Sequence, residues 1–184
     1  NNAKNVYLHN DEAIDINFET LERKILKKIK LKFPKKKIKN INSEMAKLRL
    51  IKQPEEIIAI KKAIETTKIA LINVLEKIKT FNTEKDIEAE ITYHFLKNNS
   101  RRHAFSPIIA SDKNACVLHY ITNHDTLKKD TLVLLDFGAE YLNYNADCSR
   151  TIPVSGKFSP RQSEIYEAVL TVFNYGKSLL VPGD

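Results

Sequence analysis

Apolar positions near the start of the chain recur three or four apart, at Phe18, Leu21, Ile25 and Ile29, with lysines between them. That spacing predicts an amphipathic helix over 18–31, which Pro34 ends. Residues 35–51 are polar and mixed and read as a short strand and a linker, the expected domain boundary, with one domain ending near 46 and the next beginning at 47. A helix is predicted over 54–79: Pro54 suits the first helical position, Glu55 and Glu56 complement the dipole, and Ile57, Ile60, Ile64, Leu71, Val74, Leu75 and Ile78 form one stripe. Thr83 with Asp86 opens a second helix, whose buried side is Ile87, Ile91 and Phe95 and which Asn98 and Asn99 can close. Beyond it the period shortens. The segments 104–111, 115–120, 131–138 and 146–154 are apolar or β-branched between turn residues and read as strands. Ser159 and Pro160 then start a last helix, stopped by Pro182 and Gly183. Helices, consecutive strands and a helix imply an α+β fold, an antiparallel sheet with helices packed on one side.

Composition narrows the class. In 184 residues, 42% are hydrophobic and 29% charged, values of a folded domain rather than a disordered chain. No run of about 18 apolar residues is present, so no membrane partner is expected, and "NNAKNVYLHNDEA" has neither the basic nor the apolar part of a signal peptide. The chain begins with Asn rather than Met and is expected to be an internal fragment of a longer protein. Cys116 and Cys148 form no C-x-x-C pair, fit a reducing, cytoplasmic setting, and read as small buried hydrophobes. The net charge of +7 is spread as lysines along helices, with one cluster, "KLKFPKKKIK", and no recognition motif. A solvated lysine face accounts for it, and no nucleic acid is expected as partner.

The candidate chemistry lies in "LLDFGAEYLNYNADCSRT", where an apolar strand runs into Asp136 and a second acid, Asp147, leads the next strand. If the two strands pair as a hairpin centred near Tyr141 and Leu142, the acids fall nearly opposite one another. Two facing carboxylates suit a cation gripped from both sides, either one metal or a pair bridged by a carboxylate, and oxygen ligands favour hard ions. The alternative reading has Asp136 capping a turn and Asp147 pairing with a lysine or Arg150; spacing alone leaves the two even. Strand alternation puts Asp147, Ser149 and Thr151 on one face and Cys148, Arg150 and Ile152 on the other, so hydroxyls lie beside the acid. His119, at the end of the predicted strand 115–120, could be a ligand, a proton carrier, a donor to a substrate carbonyl or a buried structural residue. His9, His94, His103 and His124 sit among polar residues and read as surface.

Taken together, "RLIKQPEEI", "SPIIASDKNACVLHY", "LVLLDFGAEYLNYNADCSRTIPVSGKFSPRQSEIYEAVL" and the closing "VPGD" resemble, over about residues 47–184, the catalytic half of Xaa-Pro aminopeptidases, in the pita-bread metallopeptidase family. D-x-G-x-E-Y followed by an acid and R-T-x-P-V-x-G-K-F is far more specific than two acids. The resemblance implies a partial pita-bread fold and a site for two divalent metals, usually Mn²⁺, with Co²⁺ or Zn²⁺ as alternatives, built from two Asp, one His and two Glu. Asp136 and Asp147 match the two Asp, the second bridging; His119 matches the histidine that orients or protonates substrate. Phe105 stands where the family often has a pocket Tyr, and Ser149 where it has a small hydroxyl residue beside the bridging Asp. The remaining ligands lie downstream of the "PGD" turn in the family. The resemblance therefore implies an inactive piece of a homo-oligomeric enzyme that cleaves peptides with proline in second position, with residues 1–46 the tail of a preceding domain. An Xaa-Pro dipeptidase and a non-catalytic pita-bread binding module are the alternatives; a methionine aminopeptidase would carry "HG" where this chain has "LHY".

Overall fold

A computed structural model describes residues 4–9 and 20–183. The chain divides into two compact units, Asn1–Pro54 and Glu55–Asp184.

In the first unit, β1 (Asn5–Leu8) and β2 (Lys37–Asn40) pair in parallel through a crossover that includes α1 (Leu21–Lys32). Thr20 caps α1 by accepting from the Arg23 amide at 3.3 Å, and the Phe33 amide closes its end on the Ile29 carbonyl. Phe18, the first residue of the predicted stripe, lies outside the described residues. A linker was expected after β2, but the chain forms a further helix, α2 (Asn42–Leu50). It buries no residue and so shows no apolar stripe. Good helix formers, Glu44 to Leu50, make it locally, and periodicity could not reveal it.

All but the first residue of α3 (Pro54–Lys77) belong to the second unit. The predicted apolar stripe holds at Val74 and Ile78, which join the core, and at Leu71, which packs against it, and is corrected at Ile57, Ile64 and Leu75, which are exposed; the rest of the buried face is Ala59, Ala63, Thr66, Thr67 and Ala70. Small residues let this helix approach the sheet closely enough for the Thr67 hydroxyl to accept from the Ala139 amide at 2.9 Å. A 3₁₀ turn at Ile78–Thr80 leads to α4 (Glu84–Lys97), where Thr83 and Asp86 form the expected capping box and Ile87, Ile91 and Phe95 are buried as predicted.

The sheet is antiparallel in the order β3 (Ile108–Ser111), β4 (Leu132–Phe137), β7 (Cys148–Pro153). Between β4 and β7 a small hairpin, β5 (Glu140–Tyr141) and β6 (Tyr144–Asn145), turns through Leu142 and Asn143, both at positive φ. Val133, Leu135 and Phe137 point into a core with Val74, Ile87, Ile91, Phe95, Ile109 and Ile152. Leu132, Leu134 and Asp136 alternate with them and face the other way, where they are only half-buried. The last helix, α5 (Pro160–Ser178), has Ser159 and Gln162 as a capping box. The α+β architecture, with α3 and α4 on one side of an antiparallel sheet, is as the sequence predicted.

One predicted strand is absent. Residues 115–120 belong to a 3₁₀ segment (Asp112–Cys116) and a turn, with His119 at a φ of 56°. The run "ACVL" is apolar yet Val117 and Leu118 are exposed, so its hydrophobicity does not mark a core strand.

Candidate metal centre

Asp136 is the fifth residue of β4 and Asp147 immediately precedes β7. The cross-strand partner of Asp136 is Ser149, so the expected placement of the two acids directly opposite is corrected to a diagonal one. The hairpin turns at Leu142 and Asn143, one residue later than expected, which moves every partner by two. A shift of two keeps the face. Asp147 and Ser149 therefore project with Asp136 from the sheet surface opposite the helices.

The carboxyls meet there. Partial desolvation at the sheet surface raises the Asp147 carboxyl above the usual range, and the charge of Asp136 and a hydrogen bond to it push it further. The Ser149 hydroxyl donates to Asp136 Oδ1 at 2.9 Å, whereas the resemblance set it beside the bridging Asp147. Among the described residues no lysine or arginine forms an ion pair with either acid, and no third His, Cys, Asp or Glu completes a cluster. The reading in which Arg150 neutralises Asp147 has no support: its guanidinium donates to the Ser149 carbonyl at 2.7 Å. Two adjacent oxygen donors whose repulsion no protein cation relieves fit a divalent metal.

Gly138 makes this approach feasible. A Cβ there would lie 1.7 Å from the Ala146 carbonyl oxygen and 3.1 Å from the Asp147 nitrogen. The tight backbone crossing beside the acids thus requires the glycine of the D-x-G-x-E-Y motif. Glu140 of the same motif accepts from Arg102 Nε at 2.8 Å and from the Asn143 amide, pinning the hairpin.

His119 is exposed in its turn, and Phe105 is half-buried in the bend that leads to β3. Two histidines read as surface are corrected: His94 is buried and bonded to Glu90 at 2.9 Å, and His103 is half-buried against Phe95 with its Nε2 2.9 Å from Thr92 Oγ1. Burial holds the His103 imidazole below its ordinary pKa. The cysteines are corrected as well, since Cys116 is exposed and Cys148 only half-buried.

Sequence reasoning missed a buried acid. Glu84, in the first turn of α4, is wholly inaccessible. Its Oε1 accepts from the Ser111 amide (2.7 Å), the Ser111 hydroxyl (2.8 Å) and Asn114 Nδ2 (3.1 Å); its Oε2 accepts from the Tyr120 hydroxyl (2.8 Å) and the Asp125 amide (3.1 Å). Burial alone would raise its pKa, but these bonds outweigh it and hold the carboxyl below the usual range. A Glu at a helix start reads as ordinary capping, so no local signal distinguished it.

Comparison with known proteins follows the same residues. The model of metallopeptidase family M24 matches residues 58–184. An Xaa-Pro aminopeptidase of Haemophilus influenzae is 39% identical over 140 residues, 76% of this chain and 33% of that protein; one of Escherichia coli is 38% identical over 136 residues, 74% and 31%. This chain thus spans about a third of the length of these curated relatives. Aminopeptidase P from E. coli in its low-pH form superposes with a TM-score of 0.84 at 31% identity, over 98% of this chain and 42% of that one. A zinc-substituted E. coli aminopeptidase P with product gives 0.80 at 28%, over 96% and 41%.

Proposed function

The chain belongs to metallopeptidase family M24, and from that premise we propose that the full-length protein is a metal-dependent aminopeptidase that cleaves the bond between an N-terminal residue and a following proline. The observation that carries this reading is the pair of carboxyls, Asp136 and Asp147, meeting on one sheet face with no lysine or arginine among the described residues paired to either. These two acids would hold divalent metal, Mn²⁺ by the family resemblance, with further ligands from outside this chain. Such metals supply a Lewis acid for the scissile carbonyl and acidify water. The Ser149 hydroxyl orients Asp136 through its 2.9 Å bond, leaving the other carboxylate lone pairs for a cation. His119, exposed and next to Tyr120, would hydrogen-bond the substrate near the bond that breaks. Phe105 would offer an apolar wall to the proline ring.

With two ligand residues of five, the 184-residue chain alone is proposed to be inactive. In the full-length protein, Asp147→Asn should lower bound metal, measured by elemental analysis, and abolish release of the N-terminal residue from Xaa-Pro peptides. Undiminished turnover by that variant refutes the assignment.

A further inference from the structure

The turn that carries His119 has no strand or helix of its own beyond the 3₁₀ segment, yet its two ends are tied to one buried group. Asn114 and Tyr120 flank the exposed stretch 115–119, and both donate to the Glu84 carboxylate, at 3.1 and 2.8 Å. They also bond each other, Asn114 Nδ2 to the Tyr120 oxygen at 3.0 Å, which closes the neck of the loop. Outside the neck, Ser111 and Asp125 donate their backbone amides to the same carboxylate. His119 is the residue next to Tyr120 and sits at a positive φ, a conformation that a non-glycine residue keeps only when its surroundings enforce it.

We propose that Glu84 is a positioning residue for His119: its carboxylate fixes Asn114 and Tyr120, and through them the place of the imidazole. A buried ionised carboxylate with five donors is costly to build and stays rigid once complete, because any displacement of the loop leaves a buried charge underpaired. That is the property a site needs when a side chain on an exposed turn must be held within about half an ångström. The donors come from both ends of the His119 loop, so this one carboxylate fixes where the loop, and the imidazole on it, stands. The inference rests on the proposed role of His119, and the test separates the two.

In the full-length protein, Tyr120→Phe removes one donor and leaves the ring, so folding is retained; Glu84→Gln places an amide where two donors now point. Each should lower kcat between about tenfold and a hundredfold, the scale of a displaced reacting group, with KM and metal content near wild type. The decisive readout is a double-mutant cycle with His119→Ala. If Glu84 and Tyr120 act through His119, adding Tyr120→Phe to His119→Ala costs no further kcat. Multiplicative losses overturn the positioning role, and so does wild-type kcat in Tyr120→Phe or in a folded Glu84→Gln. Full activity of His119→Ala alone overturns the role of His119 as well, which marks that failure as distinct.

Discussion

Replacing Gly138 with alanine tests the backbone crossing on which the acid pair depends. The added Cβ would lie 1.7 Å from the Ala146 carbonyl oxygen and 2.5 Å from its carbon. Ordinary contact needs about 3.5 Å, so the two backbones must separate by nearly 2 Å. Both obstructing atoms are main chain, so no rotamer change can relieve the clash. Neighbouring bonds resist the movement: Gly138 accepts from the Ala104 amide at 2.8 Å, Ala139 donates to Thr67, and Ala146 donates to Ala139 at 2.9 Å. Overpacking against a yielding core costs about 1–3 kcal/mol, and an unyielding one more. Gly138→Ala should therefore destabilise by ~3 kcal/mol or more, a fall of roughly 10 °C in Tm for a unit of this size, read by circular dichroism. In the full-length protein the same variant should bind less metal, since Asp147 moves with Ala146. A Tm within about 2 °C of wild type, with full metal content, would refute the reasoning from this crossing.

Phe137→Ala empties a fully buried site whose ring lies 6.2 Å from that of Phe95 and should cost about 3–5 kcal/mol by chemical denaturation. Thr67→Val leaves the buried Ala139 amide without its acceptor and should cost about 1–3 kcal/mol in the same measurement. Glu84 has a folded pKa below its unfolded one, so its stabilisation is present above the unfolded value and is lost as pH falls through the folded value; melts from pH 6 downward should drop more steeply in wild type than in Glu84→Gln. Asp147 has the opposite sign, its penalty growing as pH rises through its raised folded pKa. In metal-free 184-residue chain at neutral pH, Asp147→Asn should thus raise Tm slightly, and a fall would contradict the repulsion with Asp136.

Local features of the fold were legible where one residue type served one purpose. The capping box at Thr83 and Asp86, the buried Ile87, Ile91 and Phe95, and the alternation of β4 all follow from local pattern. The stripe predicted for α3 was right at Leu71, Val74 and Ile78 and misled chiefly toward the start of the helix, where the large residues and the buried residues differ. The sheet needs a close helix, which alanines and threonines permit, while Ile57, Ile64 and Leu75 remain exposed. Hydrophobicity alone could not tell which face of this helix meets the sheet. The turn at 115–120 misled for a related reason: an apolar run reads as a strand unless the groups that hold it elsewhere are known. Those groups are polar: Asn114, Tyr120 and Asp125 lie in or beside the turn, but the carboxylate that gathers them, Glu84, is distant in sequence on α4.

The acid pair was legible in its face and misjudged in its register, and the physics of the hairpin explains both. Parity decides the face: moving the turn by one residue moves every partner by two, and side chains alternate with period two, so Asp136 and Asp147 remain on one surface in either register. Turn position decides the partner, and Leu142 is a poor signal because leucine seldom takes the positive φ it has here. The diagonal arrangement has a consequence that direct opposition would not. It frees the position across from Asp136 for Ser149, whose hydroxyl occupies one oxygen of the acid, so that any cation shared with Asp147 must be met by the remaining lone pairs. Ser149→Ala in the full-length protein should accordingly weaken metal binding by about tenfold while leaving Tm near wild type, a separation of effects expected of a group that orients an acid at the sheet surface and not of one that holds the sheet together.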